Sequence, residues 1–326
     1  MPTPPFRADH VGSLLRPASV KAARKAFFED KTIGADDLKA VEDEAIRDVV
    51  KVQENAGLLA VTDGEYRRSF WHYDFMGGLT GLELVEREPE EGVAFHGVKL
   101  RPIFPTITER LDFPDDHPML DHFRYLKSVT RVVPKISIPG PSVCHFRTAK
   151  ADIHPKEYQD VEALFADITR TYAKAVKAFY DAGCRYLQMD DMHMCRGNFQ
   201  STWVAEGGYD PAADAIFNQT GIDLYFMEYD TDRAGGLSPL RLLPKGKKRV
   251  MPGFITTKTG DLEKLDDLKR KFDEASKFAD IAQLGIAPQC GFASTEEGNK
   301  ITEDDQKRKL DLVVKTAEAI WGGLDK

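Results

Sequence analysis

Short apolar runs that end in polar or glycine-rich turns recur along this chain, and most of them precede a segment with helical periodicity. Buried strands that alternate with helices pair in parallel through right-handed crossovers. Eight such runs predict an α/β fold, a closed (β/α)8 barrel of the TIM type. The predicted strands are His10–Ser13, Leu58–Glu65, Val132–Pro139, Tyr186–Asp191, His193–Asn198, Leu224–Asp230, Val250–Thr256 and Leu284–Cys290. The predicted helices include Asp36–Ala56, Tyr158–Ala182, Pro211–Asn218, Leu262–Phe278 and Glu303–Trp321.

The length of 326 residues fits one barrel domain that spans residues 1–326, although length alone also allows two domains. Residues 82–110 interrupt the alternation of strands and helices. This segment is charged, rich in proline and strand-like around Val93–Pro102. We interpret residues 82–110 as an inserted β-hairpin or lid, and a plain surface loop is the alternative.

Composition excludes several classes of protein. A net charge of −8 argues against broad electrostatic binding to nucleic acid or anionic membranes. The chain has no apolar run of about 18 residues that would span a membrane, and its N-terminus has no apolar segment typical of a secretory signal. Four cysteines are too few for a disulfide scaffold, so we expect a reducing, cytoplasmic location.

One junction conflicts with the barrel pattern. Only Met192 separates the predicted strand that ends at Asp191 from the one that begins at His193. Neighbouring parallel strands need a crossover of about a dozen residues or more. Either the two stretches form one strand, or a strand–helix unit is absent, or the sequence omits a segment.

Polar side chains lie at the carboxyl ends of most predicted strands, which converge on one face of a barrel. His193 and Cys195 are two residues apart, so in an extended strand both side chains point to the same side. Glu228 and Cys290 end two other strands. One nitrogen, two sulfurs and one carboxylate suit a tetrahedral zinc site, whereas the alternative is a chance pattern in a core strand.

Carboxylates and a glycine turn at the same face could bind charged groups of a ligand. Glu65 and Asp190 would each suit a cationic amine, although either carboxylate could instead cap a helix or pair with an arginine. Backbone groups of Gly12 and Ser13 would suit a carboxylate, and a plain tight turn is the alternative.

Six motifs together resemble the cobalamin-independent methionine synthases, and in particular the short relatives that match only the catalytic C-terminal half. The resemblance covers about residues 7–322. The motifs are HVGSLLRP at 10–17, DGEYRR at 63–68, YLQMDD at 186–191, HMCRGNF at 193–199, FMEYD at 226–230 and PQCG at 288–291.

The resemblance implies a TIM-type barrel and a set of functional residues. It implies that zinc is held by His193, Cys195, Glu228 and Cys290. It also implies that Glu65 and Asp190 hold the amino group of homocysteine, while the Gly12–Ser13 turn meets its carboxylate.

This chain departs from the family in several places. It has no second, N-terminal barrel, Lys258 stands where the family has a catalytic histidine, and residues 141–146 lack the expected pterin-stacking tryptophan. Relatives also place a helix and a linker between QMDD and HMC, so we expect a segment to be missing between Asp191 and His193. The first three departures favour a methylcorrinoid or corrinoid protein over methyl-folate as the methyl donor.

The resulting hypothesis is a zinc-dependent methyltransferase that converts homocysteine to methionine. Zinc would deprotonate the acceptor thiol, whose pKa is about 8.5 when it is free. Lys258 would contact an anionic donor or leaving group, and Asp191 would orient His193. The alternatives are transfer to another small thiol, a metal-free decarboxylase of related fold, and a barrel with a purely structural zinc ion.

Overall fold

The computed structural model describes residues 3–86, 103–146, 148 and 150–325, without the side chains of Phe146, Met192 and His193. The strands in this part of the chain are β1 (Ala60–Val61), β2 (Thr80–Glu86), β3 (Ile103–Asp112), β4 (Val133–Pro134), β5 (Ile136–Pro139), β6 (Leu187–Asp190), β7 (Leu224–Glu228), β8 (Arg249–Ile255) and β9 (Ala287–Pro288). The α-helices are α1 (Ala18–Phe28), α2 (Ala35–Asn55), α3 (Tyr73–Met76), α4 (Pro118–Val129), α5 (Val143–Phe146), α6 (Val161–Asp181), α7 (Met192–Cys195), α8 (Ala213–Asn218), α9 (Leu265–Ala275) and α10 (Glu303–Trp321).

The ends of the long helices follow from local sequence signals. Helix α10 begins with a capping box, in which the Thr302 hydroxyl accepts from the Asp305 amide at 3.1 Å and the Asp305 carboxylate accepts from the Thr302 amide at 3.0 Å. The helix ends where Gly322 adopts a left-handed conformation with φ of 76°. Helix α6 begins at Val161 and is capped by Asp160, whose carboxylate accepts from the Glu162 amide at 3.0 Å.

Parallel pairing links strands that are separated by helices. β1 pairs with β4, β5 pairs with β6, and β7, β8 and β9 form a three-stranded sheet. A parallel bridge between Ala8 and Ile286 joins the N-terminal segment to the end of β9. The molecule therefore has a mixed α/β fold in which consecutive strands follow the order of a barrel, with their carboxyl ends on one face.

The strand predicted at His193–Asn198 is wrong. Residues 192–195 form the short helix α7 directly after β6, because a single residue cannot carry the chain back to start a neighbouring parallel strand. β6 pairs only with β5 and β7 only with β8 among the described strands, so the ring predicted as a closed (β/α)8 barrel is open there. We call this gap between β6 and β7 the seam.

A hairpin interrupts the alternation of strands and helices near the N-terminal third of the chain. β2 and β3 pair antiparallel, with Glu86 opposite Ile103. The strand-like stretch Val93–Pro102 lies outside the described residues. The described hairpin packs on α3 and α6, with Leu82, Ile107 and Leu111 buried in the same apolar cluster as residues of those helices.

Two large apolar clusters make up the core. One contains β7, β8 and the helices α2, α9 and α10, and the other contains β5, the hairpin and the helices α4 and α6. None of the described helices is both long and apolar enough to cross a membrane.

Candidate functional site

A large cavity lies at the carboxyl ends of the strands and continues along the seam. Its volume is about 1820 Å³, and its wall includes Ser13, Glu65, Asp190, Cys195 and Cys290. Glu65 follows β1, Asp190 ends β6 and Cys290 follows β9, as the barrel order predicts. The cavity therefore brings together side chains from distant parts of the sequence.

Two carboxylates that repel each other, those of Glu65 and Asp190, line this cavity. One oxygen of Glu65, Oε1, accepts a hydrogen bond from the Ser137 hydroxyl at 2.8 Å. The other, Oε2, is buried and has no hydrogen-bond partner within the described part of the chain. Burial, and then the negative charge of Glu65, raise the pKa of Asp190 to about 7. Arg68 lies 3.6 Å from Oε1 of Glu65, so Oε2 is the oxygen of this acidic pair that is left without a hydrogen bond among the described residues.

The loop that carries Glu65 is held by a buried arginine. Glu65 has a left-handed backbone with φ of 61°. The Arg16 guanidinium donates to the carbonyl of Glu65 at 2.7 Å and to the carbonyl of Ala293 at 2.6 Å. Arg16 therefore fixes the loop after β1 to the loop after β9, which carries Cys290.

Two thiols, Cys195 and Cys290, meet in the wall of the same cavity. Cys195 and Cys290 share a hydrogen bond between their sulfur atoms, which is the main cause of opposite shifts in their pKa values. The pKa of Cys195 is raised well above its ordinary value, and burial and the charge of Glu228 add to that rise. The pKa of Cys290 is lowered, with the positive charge of Lys258 contributing. Cys290 is therefore the thiol that more readily becomes a thiolate.

A cluster of charges surrounds Glu228, which is 1% exposed. Lys258 donates to its Oε1 atom at 3.1 Å, Arg233 forms an ion pair with the same oxygen, and Arg196 lies 3.5 Å from Oε2. Asp230 lies 3.7 Å from Lys258 and 3.8 Å from Arg233. Three cations thus face two carboxylates, and the surplus positive charge favours a nearby anion such as a thiolate.

The four ligands predicted for zinc are placed as follows. Cys195 and Cys290 are in contact, and their sulfur chemistry fits zinc. Glu228 is held by Lys258 and Arg233, which a metal ion would have to replace. His193 lies in α7, so the argument from an extended strand is wrong, and its side chain lies outside the description. Among the described side chains no group of three or more His, Cys, Asp or Glu is arranged to hold a metal ion.

The remaining predicted residues lie around the same cavity. Gly12 has φ of 131°, and a side chain there would come within 3.4 Å of Glu65 Oε1. The Ser13 hydroxyl faces the chain at Gly291 and accepts from the Ala293 amide at 3.4 Å. The Asp191 carboxylate accepts from the Ser142 hydroxyl at 2.7 Å. Lys258 points inward, toward Glu228.

Sequence reasoning did not identify Arg196 and Arg233, although both bind Glu228. Arg196 directly follows the predicted ligand Cys195, and Arg233 lies three residues after Asp230, but arginines are common and neither position carries a pattern. Only the fold shows that both guanidinium groups turn toward one carboxylate.

Comparison with known proteins shows that this chain is similar to proteins from other organisms. It is 41% identical over 369 positions to the Bacillus subtilis protein YxjG, which is described as uncharacterized, covering 98% of this chain and 95% of that one. At least 43 of the aligned positions are gaps in this chain, because 369 positions are aligned and the chain has 326 residues. The comparison with protein-family models found no match.

Two solved structures have the same fold. A Listeria monocytogenes protein described as a candidate vitamin-B12-independent methionine synthase is 34% identical, with a TM-score of 0.79, and the match covers 98% of this chain and 99% of that one. A B12-independent methionine synthase from Shewanella sp. W3-18-1, solved with selenomethionine, is 17% identical with a TM-score of 0.72, and the match covers 96% of this chain and 97% of that one. The second likeness shows the fold alone.

The fold and the cavity define a barrel-type α/β protein with its polar site at the carboxyl ends of the strands. The chain belongs to the family of short cobalamin-independent methionine synthases. The sequence-based preference for a methylcorrinoid or corrinoid-protein donor is not supported, because the matching structures are described as B12-independent.

Proposed function

We propose that this protein transfers a methyl group to the sulfur of homocysteine and so forms methionine. In this reaction the thiol loses its proton, a sulfur–carbon bond forms, and the bond between the methyl group and its donor breaks. The proposal is supported by membership of the family and by an acidic pair and a thiol pair that line one cavity.

The observation that carries the proposal is the Oε2 atom of Glu65, which is buried and has no hydrogen-bond partner among the described residues. A buried carboxylate oxygen without a partner is costly, and an ammonium group would supply both a charge and a hydrogen-bond donor. Glu65 and Asp190 line the same cavity, and the charge of Glu65 helps to raise the pKa of Asp190, so we assign the two carboxylates to one ammonium group. Backbone groups at Gly12 and Ser13 would then hold the carboxylate of the amino acid.

We propose that zinc is held by His193, Cys195, Glu228 and Cys290. When bound, the metal would keep the acceptor sulfur as a thiolate at neutral pH. Cys290 is the protein thiol that is most ready to lose a proton, because its pKa is lowered by Cys195 and Lys258. Glu228 is held ready as an anion by its cationic neighbours.

Two further residues have supporting roles in this proposal. Lys258 positions Glu228, the group that it touches, rather than contacting the methyl donor directly. Asp191 orients His193, and its own carboxylate is fixed by Ser142. The chain acts as one catalytic domain with the β2–β3 hairpin inserted into it, and methyl-folate is the proposed donor.

Replacing Cys290 by serine tests the proposal. We expect C290S to lose bound zinc, measured by atomic emission, and to lose methionine formation from homocysteine, because one sulfur ligand is gone. C184S is the matched control, since Cys184 is a buried thiol in the apolar cluster around α6. It should keep both properties. Full zinc content and a normal rate in C290S would contradict the assignment.

A further inference from the structure

A second buried carboxylate lies beside Glu228. Asp230 follows Glu228 by two residues, just beyond the end of β7. The side chain of Asp230 is 1% exposed, and neither of its oxygens has a hydrogen-bond partner within the described part of the chain. A buried carboxylate that accepts no hydrogen bond is destabilising, so a group of this kind points to a function.

Two cations lie between the two carboxylates. The Lys258 ammonium group donates to Glu228 Oε1 at 3.1 Å and lies 3.7 Å from Asp230 Oδ2. Arg233 forms an ion pair with Glu228 Oε1, and its guanidinium group lies 3.8 Å from Asp230 Oδ1. Hydrogen bonds between nitrogen and oxygen are about 2.7 to 3.2 Å long, so a shift of less than about 1 Å brings either cation into hydrogen-bond contact with Asp230.

The proposed zinc site makes a second partner for these cations necessary. The side chains of Lys258 and Arg233 are only 9% and 6% exposed, so water does not readily replace the carboxylate that they bind. If Glu228 turned to a metal ion, both cations would lose their bound anion inside the protein. A buried charge that loses its partner is strongly unfavourable, and Asp230 is the neighbouring carboxylate that can compensate it.

The third cation beside Glu228 is held by other groups. Arg196 donates to the carbonyl oxygens of Gly207 at 2.6 Å and Ala234 at 3.3 Å. Arg233, by contrast, reaches the carbonyl oxygen of Ala205 only at 3.5 Å. Release of Glu228 therefore leaves Arg196 bound to the backbone, whereas Arg233 and Lys258 depend on a carboxylate.

We propose that Asp230 is a positioning residue that receives Lys258 and Arg233 when Glu228 releases them to bind zinc. This inference rests on the zinc site proposed above and adds to it a residue outside the set of ligands. Without metal the two cations stay on Glu228, and with metal they lie on Asp230, which neutralises their charge. The exchange moves only side chains, and it lowers the cost of withdrawing Glu228 from its ion pairs.

The zinc affinity of the full chain, measured by competition with a chromogenic chelator, tests this proposal. Asp230→Asn keeps the size of the side chain and removes its charge, so the two cations stay on Glu228. We expect the dissociation constant for zinc to rise at least about tenfold. The matched control is D232N, since Asp232 is an exposed carboxylate on the same loop, and it should bind zinc as the natural protein does.

A second variant separates this role of Asp230 from a merely structural one. Arg233→Met removes one of the two cations that compete for Glu228, so it should bind zinc at least as tightly as the natural protein. In that background D230N should raise the dissociation constant by no more than about threefold, because the two positions are coupled. If Asp230 only stabilised its loop, D230N would weaken zinc binding equally in both backgrounds.

Unchanged zinc affinity in D230N would overturn the proposal, as would an equal loss in both backgrounds. Weaker zinc binding by R233M alone would also overturn it, and this variant keeps Asp230 in place if D230N does not fold. A natural protein that binds no zinc would refute the zinc site itself. Zinc binding that C290S abolishes and D230N leaves unchanged would refute only the role of Asp230.

Discussion

Glu65 adopts a backbone conformation that residues other than glycine rarely adopt. Its φ of 61° follows Gly64 at φ of 68°, so two successive left-handed residues turn the chain sharply after β1. The Asp63 carboxylate accepts from the Glu65 amide at 2.9 Å and helps to hold this turn. Such strain persists where the surroundings impose it, and here it directs a carboxylate into the cavity.

The raised pKa of Asp190 predicts a pH-dependent affinity for amino acids. Below a pKa of about 7 the carboxyl group is protonated and does not attract an ammonium group. The affinity for methionine, measured by calorimetry, should therefore rise between pH 6 and pH 8, by at most about tenfold per pH unit. D190N should bind methionine with an affinity that no longer changes over this range.

Glu65 provides a second test of the same pair. Glu65→Gln removes the negative charge that helps to raise the pKa of Asp190, so the midpoint of the pH profile should move to lower pH. The control E206Q removes an exposed carboxylate at the cavity wall and should leave the midpoint unchanged. A midpoint that is the same in E65Q and the natural protein would show that the two carboxylates are not coupled.

The sequence predicts some residues of the cavity and not others. Glu65, Asp190, Cys195 and Cys290 lie at strand ends, and their convergence in one cavity follows from parallel topology. The cations around Glu228 could not be predicted, because side-chain direction depends on packing between segments that are far apart in the chain. The sequence pattern also gives no sign that Cys195 and Cys290 share a hydrogen bond.

At the scale of elements, the capping box of α10 is testable. Thr302→Ala removes the hydroxyl that accepts from the Asp305 amide, and the loss should cost about 1 kcal/mol of the free energy of unfolding. Urea denaturation measures this change. The control T169A removes a hydroxyl from the exposed interior of α6, where no cap is lost, so its unfolding should be nearly unchanged. Equal losses in both variants would show that the cap contributes nothing specific.

Local signals predict some elements well and others poorly. The predicted helix Glu303–Trp321 coincides with α10, because its capping residues and apolar spacing lie within one segment. Helix α4 was not predicted, although Pro118 in its first turn and the buried residues Met119, Leu120, Phe123 and Leu126 are typical of a helix. The stretch after Asp191 has an apolar pattern suited to a strand, but chain connectivity prevents it from pairing.

At the scale of the whole molecule, the mass of the protein decides how the seam arises. A chain of this sequence has a mass of 36.6 kDa, so an intact protein of that mass from its natural source would lack the extra strand–helix unit. Mass spectrometry measures this directly. A mass larger by one such unit would mean that the natural chain carries an additional segment and that the seam is filled in cis.

The overall architecture could be predicted from the sequence because alternating strands and helices leave few topologies. The state of the ring, closed or open, could not be predicted. It depends on one strand–helix unit, and the sequence shows the absence of that unit only as a short connection after Asp191. The open ring also accounts for the size of the cavity. Its volume of about 1820 Å³ exceeds the 300 to 1,000 Å³ typical of small-molecule pockets.

Arg16 has a consequence for how this protein can change during evolution. One guanidinium group holds the backbone at Glu65, which we propose to bind an amine, and the backbone at Ala293, in the loop that carries the proposed zinc ligand Cys290. A substitution that reshapes one of these loops to accept a different substrate would therefore disturb the other. The loops after β1 and β9 should therefore change together during evolution. A new substrate specificity should arise more readily from substitutions of side chains that line the seam than from changes in either loop.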